Sequence, residues 1–260
     1  MLKFILFIVA SSLTFTAMAD DSAIAKLFEE HGLNGTIVIS SIRNDKTIVY
    51  NEERAGTRFA PASSFKVFNT LIALEVGAIK DKSDTLKWDG THYAFQDWNH
   101  DQTLESAYKV SCVWCYQQLA RRVGIKEYRH YIDAAHYGIL DQNFDLTNFW
   151  LNGNLTISAI EQISFLKKAY LHQLPFSAQT YATWKDVTLT EHTDQYKLYG
   201  KTGWAARLTP QIGWYIGYLE TTNDVWAFAM NITLRKDEDL PLRQKITKSV
   251  FVTEGLMSKP

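Results

Sequence analysis

Tyr196-Lys-Leu-Tyr-Gly-Lys-Thr-Gly203, Gly213-Trp-Tyr-Ile-Gly-Tyr-Leu-Glu220 and Val225-Trp-Ala-Phe-Ala-Met-Asn-Ile-Thr-Leu234 are runs rich in aromatic and β-branched residues. Turn residues such as Thr222-Asn223-Asp224 separate them, so they read as successive antiparallel strands. Near the other end of the chain, Gly35-Thr-Ile-Val-Ile-Ser-Ser-Ile42 and Lys46-Thr-Ile-Val-Tyr50 form a hairpin pattern. Between these groups the apolar spacing turns helical. Ser63 to Val76 stops at Gly77, Leu104 to Val123 stops at Gly124, and Ser158-Ala-Ile-Glu161 is a capping box that opens a third helix. Strands, a helical block, then strands again predict an α+β fold. An antiparallel sheet is built from both chain ends, about 20–57 and 196–260, and packs against helices from about 58–195. The seam between the two parts is a natural cleft.

Composition narrows the function. The chain has 260 residues, 46% hydrophobic and 21% charged, with a formal charge of −1. That balance excludes disorder and leaves no basic footprint for nucleic acid. Met1 to Ala19 has one lysine, an apolar run from Phe4 to Ala10 and Ala17-Met18-Ala19 before Asp20, the layout of a secretory signal peptide. A mature domain over 20–260 in a bacterial periplasm is the expectation, with no membrane attachment once the leader is removed. Cys112 and Cys115 are too few for a disulfide framework; they read as two buried thiols on a helix, with a local disulfide left open.

Chemistry concentrates at Pro61-Ala62-Ser63-Ser64-Phe65-Lys66. Ser63 and Lys66, three apart, share one helical face, so an amine would adjoin a hydroxyl. Lysine serves as a base only when its surroundings lower its pKa from about 10.4. Lys201-Thr202-Gly203 lies at a strand end, and S-x-x-K with K-T-G recurs in penicillin-recognising serine enzymes. His31, His92, His100, His130, His136, His172 and His192 are scattered without metal-ligand spacing, so no metal is expected.

Between these two motifs stands Ser111-Cys112-Val113, with an apolar third position. Together with Phe149-Trp150-Leu151, Gly153, Ile157-Ser158-Ala159, Gly213-Trp214-Tyr215-Ile216-Gly217 and Leu240-Pro241-Leu242-Arg243, the chain resembles a class D β-lactamase, an oxacillinase, over essentially its mature length. One landmark departs: Tyr137-Gly138 is followed by Ile139, where the family usually has Asn, which removes side-chain hydrogen bonds expected to tie that loop down.

The resemblance implies a serine hydrolase acting on small-molecule β-lactams. Ser63 is the implied nucleophile. Lys66 is implied to be carboxylated by CO2 to N6-carboxylysine, with Trp150, Val113, Leu151 and Phe65 around it. Ser111 and Lys201 are implied to relay a proton, and backbone N–H groups of Ser63 and Trp204 to form the oxyanion hole. Thr202, Gly203, Trp204 and Arg243 are implied to bind substrate, Arg235 being the weaker alternative to Arg243. Beyond CO2 or bicarbonate no cofactor is implied; Trp98 and Arg207 are further candidates for the cleft wall, and a homodimer is left open. Acylated sensors, transpeptidases and a periplasmic thiol–disulfide protein are the rival readings.

Overall fold

A computed structural model describes residues 21–44 and 46–258; the expected leader, residues 1–19, lies outside them. Helix α1 (Asp21–Glu29) leads into the hairpin β1 (Gly35–Ser41) and β2 (Thr47–Tyr50). The helical block holds α2 (Glu52–Gly56), a 3-10 turn over Ala62–Phe65 that runs into α3 (Lys66–Glu75), α4 (Leu104–Lys109), α5 (Val113–Val123), α6 (Ile125–Ala135), α7 (Ala159–Tyr170) and α8 (Ala178–Thr188). Two small ladders cross it: β3 (Thr85–Leu86) with β4 (Gln102–Thr103), and β5 (Ile139–Leu140) with β6 (Leu155–Thr156). The chain then returns through β7 (Leu189–His192), β8 (Tyr196–Trp204), β9 (Ile212–Thr221) and β10 (Val225–Thr233) and closes on α9 (Leu242–Thr253).

The sheet order is β2-β1-β10-β9-β8-β7, antiparallel throughout, so both chain ends build it as expected. Strand β10 reads as an apolar run from Val225 to Met230 because both its faces are covered. Trp226, Phe228, Met230 and Ile232 turn toward α1 and α9, while Ala227 and Ala229 face the helical block. The Ser158 capping box forms as its spacing predicts, each such cap contributing about 1 kcal/mol.

Three expectations change. Strand β7 precedes the region read as the returning sheet and covers the first half of β8. The ladder between them stops at Tyr199, so Lys201 to Trp204 run on without a strand on that side. Second, Leu104 to Val123 is two helices. Ser111 takes a left-handed conformation (φ 59°), and the amides of Ser111 and Cys112 bond back to the carbonyls of Tyr108 and Ala107. This is a Schellman stop with serine where glycine is usual, and no Gly or Pro announced it. Third, Cys112 and Cys115 form a disulfide rather than free thiols. With Cys112 at the N-cap of α5, its Cα lies 5.4 Å from that of Cys115, inside the range a disulfide bridges.

Candidate active site

The turn bearing Ser63 is held from three directions. The Phe59 backbone bridges Ile157, the Ala62 amide donates to the Trp150 carbonyl at 2.8 Å, and the Trp214 indole donates to the Ala60 carbonyl at 3.0 Å. These ties hold Ala62 in a left-handed conformation (φ 48°), one that costs a non-glycine residue roughly 1–3 kcal/mol. Gly203 lets β8 pass close: a Cβ there would lie 2.7 Å from the Pro61 carbonyl oxygen. Two adjacent serines are thereby told apart. Ser64 is buried with its hydroxyl donating to the Pro61 carbonyl, whereas Ser63 is half-buried and lines the cleft.

Lys66 is 1% exposed, with Nζ 2.8 Å from Ser63 Oγ. Burial, and secondly the charge of Lys201, hold its pKa well below the ordinary lysine value, which favours the neutral amine. Its Nζ sits 4.9 Å from the centre of the Tyr116 ring, and the Tyr116 hydroxyl bonds Thr70. Trp150 is fully buried, its ring stacked on Phe65 at 6.0 Å, and its indole N–H has no partner among the described residues. A buried donor left unpaired costs about 1–3 kcal/mol.

Across the cleft, burial and secondly the charge of Arg243 lower the Lys201 pKa to about 7. Arg243 donates to the carbonyls of Gly203 and Leu240, both at 2.6 Å, and burial lowers its pKa to about 10. Its aliphatic stem crosses Gly213, where a Cβ would lie 2.8 Å from Cδ. The cavity has a volume of about 520 Å3. Ser63, Ser111, Val113, Leu151, Thr202, Gly203, Trp204 and Arg243 all line it. Among the described residues its lining carries Arg207 and Arg243 and no carboxylate, a field suited to an anionic substrate.

The description of the penicillin-binding protein transpeptidase domain matches residues 33–251. The β-lactamase OXA-48 of Klebsiella pneumoniae is 38% identical over 255 residues, 96% of either chain. The β-lactamase OXA-20 of Pseudomonas aeruginosa is 39% identical over 229 residues, covering 87% of this chain and 85% of the relative. The crystal structure of the class D β-lactamase YbXI from Nostoc superposes with a TM-score of 0.88 at 39% identity, over 90% of this chain and 99% of that one. The chain belongs to the class D β-lactamase family.

In this family member the two arginines named from the sequence differ in their pairing and place. Arg235 is occupied by Asp239 through Nε and Nη2, and that pairing carries the Asp239 pKa down to about 2; Arg243 faces the cleft. Trp98 and Arg207 both reach the wall, Arg207 donating to Asn148. The loop at Ile139 is tied down by backbone instead of an Asn side chain. Ile139 pairs with Thr156, the Asp141 amide donates to the Asn154 carbonyl, and a Cβ on Gly138 would sit 2.1 Å from the Thr156 oxygen. Among the described residues no three His, Cys, Asp or Glu are grouped as metal ligands. Sequence reading missed Tyr116, Val110, Tyr93 and Gln117 at the site. Only Tyr116 left a signal, three residues beyond Val113 on one helical face.

Proposed function

We propose that this enzyme hydrolyses β-lactam antibiotics in the periplasm through an acyl-Ser63 intermediate, with a carboxylated Lys66 as base, and so protects its host from them. The observation that carries the proposal is the 2.8 Å contact between Ser63 Oγ and the buried Nζ of Lys66. The names of OXA-48 and OXA-20 as β-lactamases support the same substrate class. A carboxylate on the Lys66 nitrogen would supply an anionic base for acylation and for the later attack of water, and the unpaired Trp150 N–H would hold it.

Ser63 Oγ attacks the lactam carbonyl. Backbone N–H groups of Ser63 and Trp204 donate to the developing oxyanion, about 3 kcal/mol for each donor. Lys201, with a pKa of about 7, is matched to passing a proton by way of Ser111 to the leaving nitrogen near neutral pH. Thr202 and Arg243 take the substrate carboxylate, Arg243 through its planar fork. Chromogenic cephalosporin hydrolysis by residues 20–260, with and without bicarbonate, tests the proposal. Sustained turnover is expected; a stoichiometric burst without turnover in bicarbonate assigns the protein to the acylated sensors or transpeptidases instead.

Arg243→Ala should lower kcat/KM for a penicillin by about 10- to 100-fold, the worth of one or two hydrogen bonds to a charged group. The methyl ester of that penicillin should be hydrolysed about equally by both enzymes. An equal loss on acid and ester would place Arg243 in a purely structural role.

A further inference from the structure

The disulfide begins inside the Ser111-x-Val113 motif at Cys112 and ends at Cys115, and the substrate chemistry above leaves it without a task. Cys112 and Cys115 enclose Val113 and Trp114 in a covalent ring at the first turn of α5. That turn meets Lys66 through the next residue, Tyr116, whose ring covers Nζ, while Val113 lines the cleft. Trp114 donates its indole N–H to the Trp98 carbonyl at 2.9 Å, and Trp98 donates to the Val110 carbonyl at 2.9 Å, tying the opposite cleft wall to the same turn.

Side-chain and backbone bonds hold this turn in place, but its helix start lacks an oxygen cap. Helices α4 and α7 begin with two-way oxygen caps, whereas α5 begins with a sulfur, Cys112 Sγ, 3.2 Å from the Cys115 amide. Sulfur is a weak acceptor, and no acidic residue stands in the first turn of α5. Immediately before it Ser111 holds a left-handed backbone that serine adopts only when its surroundings compel it.

We propose that the Cys112–Cys115 disulfide is a positioning element for the Lys66 base: it replaces the missing oxygen cap, fixes Val113 and Tyr116 against Lys66, and so sustains carboxylation. The inference rests on the carboxylated-lysine reading. Formation of the bond oxidises two thiols with loss of two protons and two electrons to a disulfide oxidant. A dithiol reductant reverses it, returning both thiols and itself becoming a disulfide.

The test compares the oxidised enzyme with Cys115→Ala, which retains the Cys112 sulfur but not the bond, and with Cys112→Ser/Cys115→Ala, which offers an oxygen cap. Incubation with 13C-bicarbonate and NMR detection of the lysine carbamate gives occupancy directly; kcat and KM are measured across bicarbonate concentrations. Cys115→Ala should need about fivefold more bicarbonate for half-maximal occupancy and kcat, the factor that losing one helix cap represents, with KM little changed. The serine-capped variant should recover most of the difference. If Cys115→Ala does not fold, dithiothreitol-reduced wild type, its free thiols confirmed by alkylation and mass spectrometry, takes its place. Equal bicarbonate dependence in the oxidised and disulfide-free forms, even with a lowered Tm, overturns the positioning role. Absence of any carbamate signal from the oxidised enzyme overturns the carboxylated-lysine reading and this inference with it.

Discussion

Ser63→Ala is expected to cut turnover of a chromogenic cephalosporin by roughly 10^5-fold or more, because losing the proposed nucleophile disables the whole catalytic unit. The change is small structurally. Its side chain sits half-buried at the cleft, and its hydroxyl lies 2.8 Å from the Lys66 amine. Folding and substrate binding should therefore survive, while mass spectrometry detects no covalent adduct. The neighbouring Ser64 cannot substitute, since its hydroxyl is buried and committed to the Pro61 carbonyl. Nor can the two sulfurs, which are buried and bonded to each other. Residual turnover within about 100-fold of wild type would show that Ser63 is not the nucleophile, because its contribution would then fall far below that of an attacking group.

Trp150→Phe is the second large effect. It deletes the unpaired indole N–H but leaves an aromatic ring against Phe65. On the proposed support of the base by Trp150, kcat without added bicarbonate should drop by about 10- to 100-fold, the usual cost of removing a group that orients a catalytic ligand. Bicarbonate should restore part of it, and KM should move little. The pH profile carries the sign. Protonation of the Lys66 amine would compete with the proposed carboxylation, so the deficit should grow as pH falls. The depressed pKa of Lys66 moves that competition below the range of an ordinary lysine. Unchanged bicarbonate dependence in this variant would remove Trp150 from any role at the base.

Much of this site could be read along the chain because its members are close in sequence or strongly patterned. Ser63 and Lys66 meet through helical spacing alone, and the capping box at Ser158 formed where its spacing put it. The helix break at Ser111 was illegible. A left-handed residue normally announces itself as Gly, and here a residue with a hydroxyl near the cleft occupies that place. The same break moved Cys112 from mid-helix to an N-cap, and so turned two expected thiols into a disulfide.

Taken alone, the sequence determined the α+β class, the sheet drawn from both chain ends, the family resemblance and the residues around Ser63. Those follow from local spacing, side-chain periodicity and motif order. Only the tertiary structure committed the Ser64 hydroxyl to Pro61, assigned Arg235 to Asp239 and Arg243 to the cleft, and left the Trp150 donor unpaired beside Phe65 among the described residues. Burial and pairing depend on what distant segments bring to the same place. Lys66 owes its depressed pKa to burial among α3 and its neighbours and to Lys201 on β8, far along the chain.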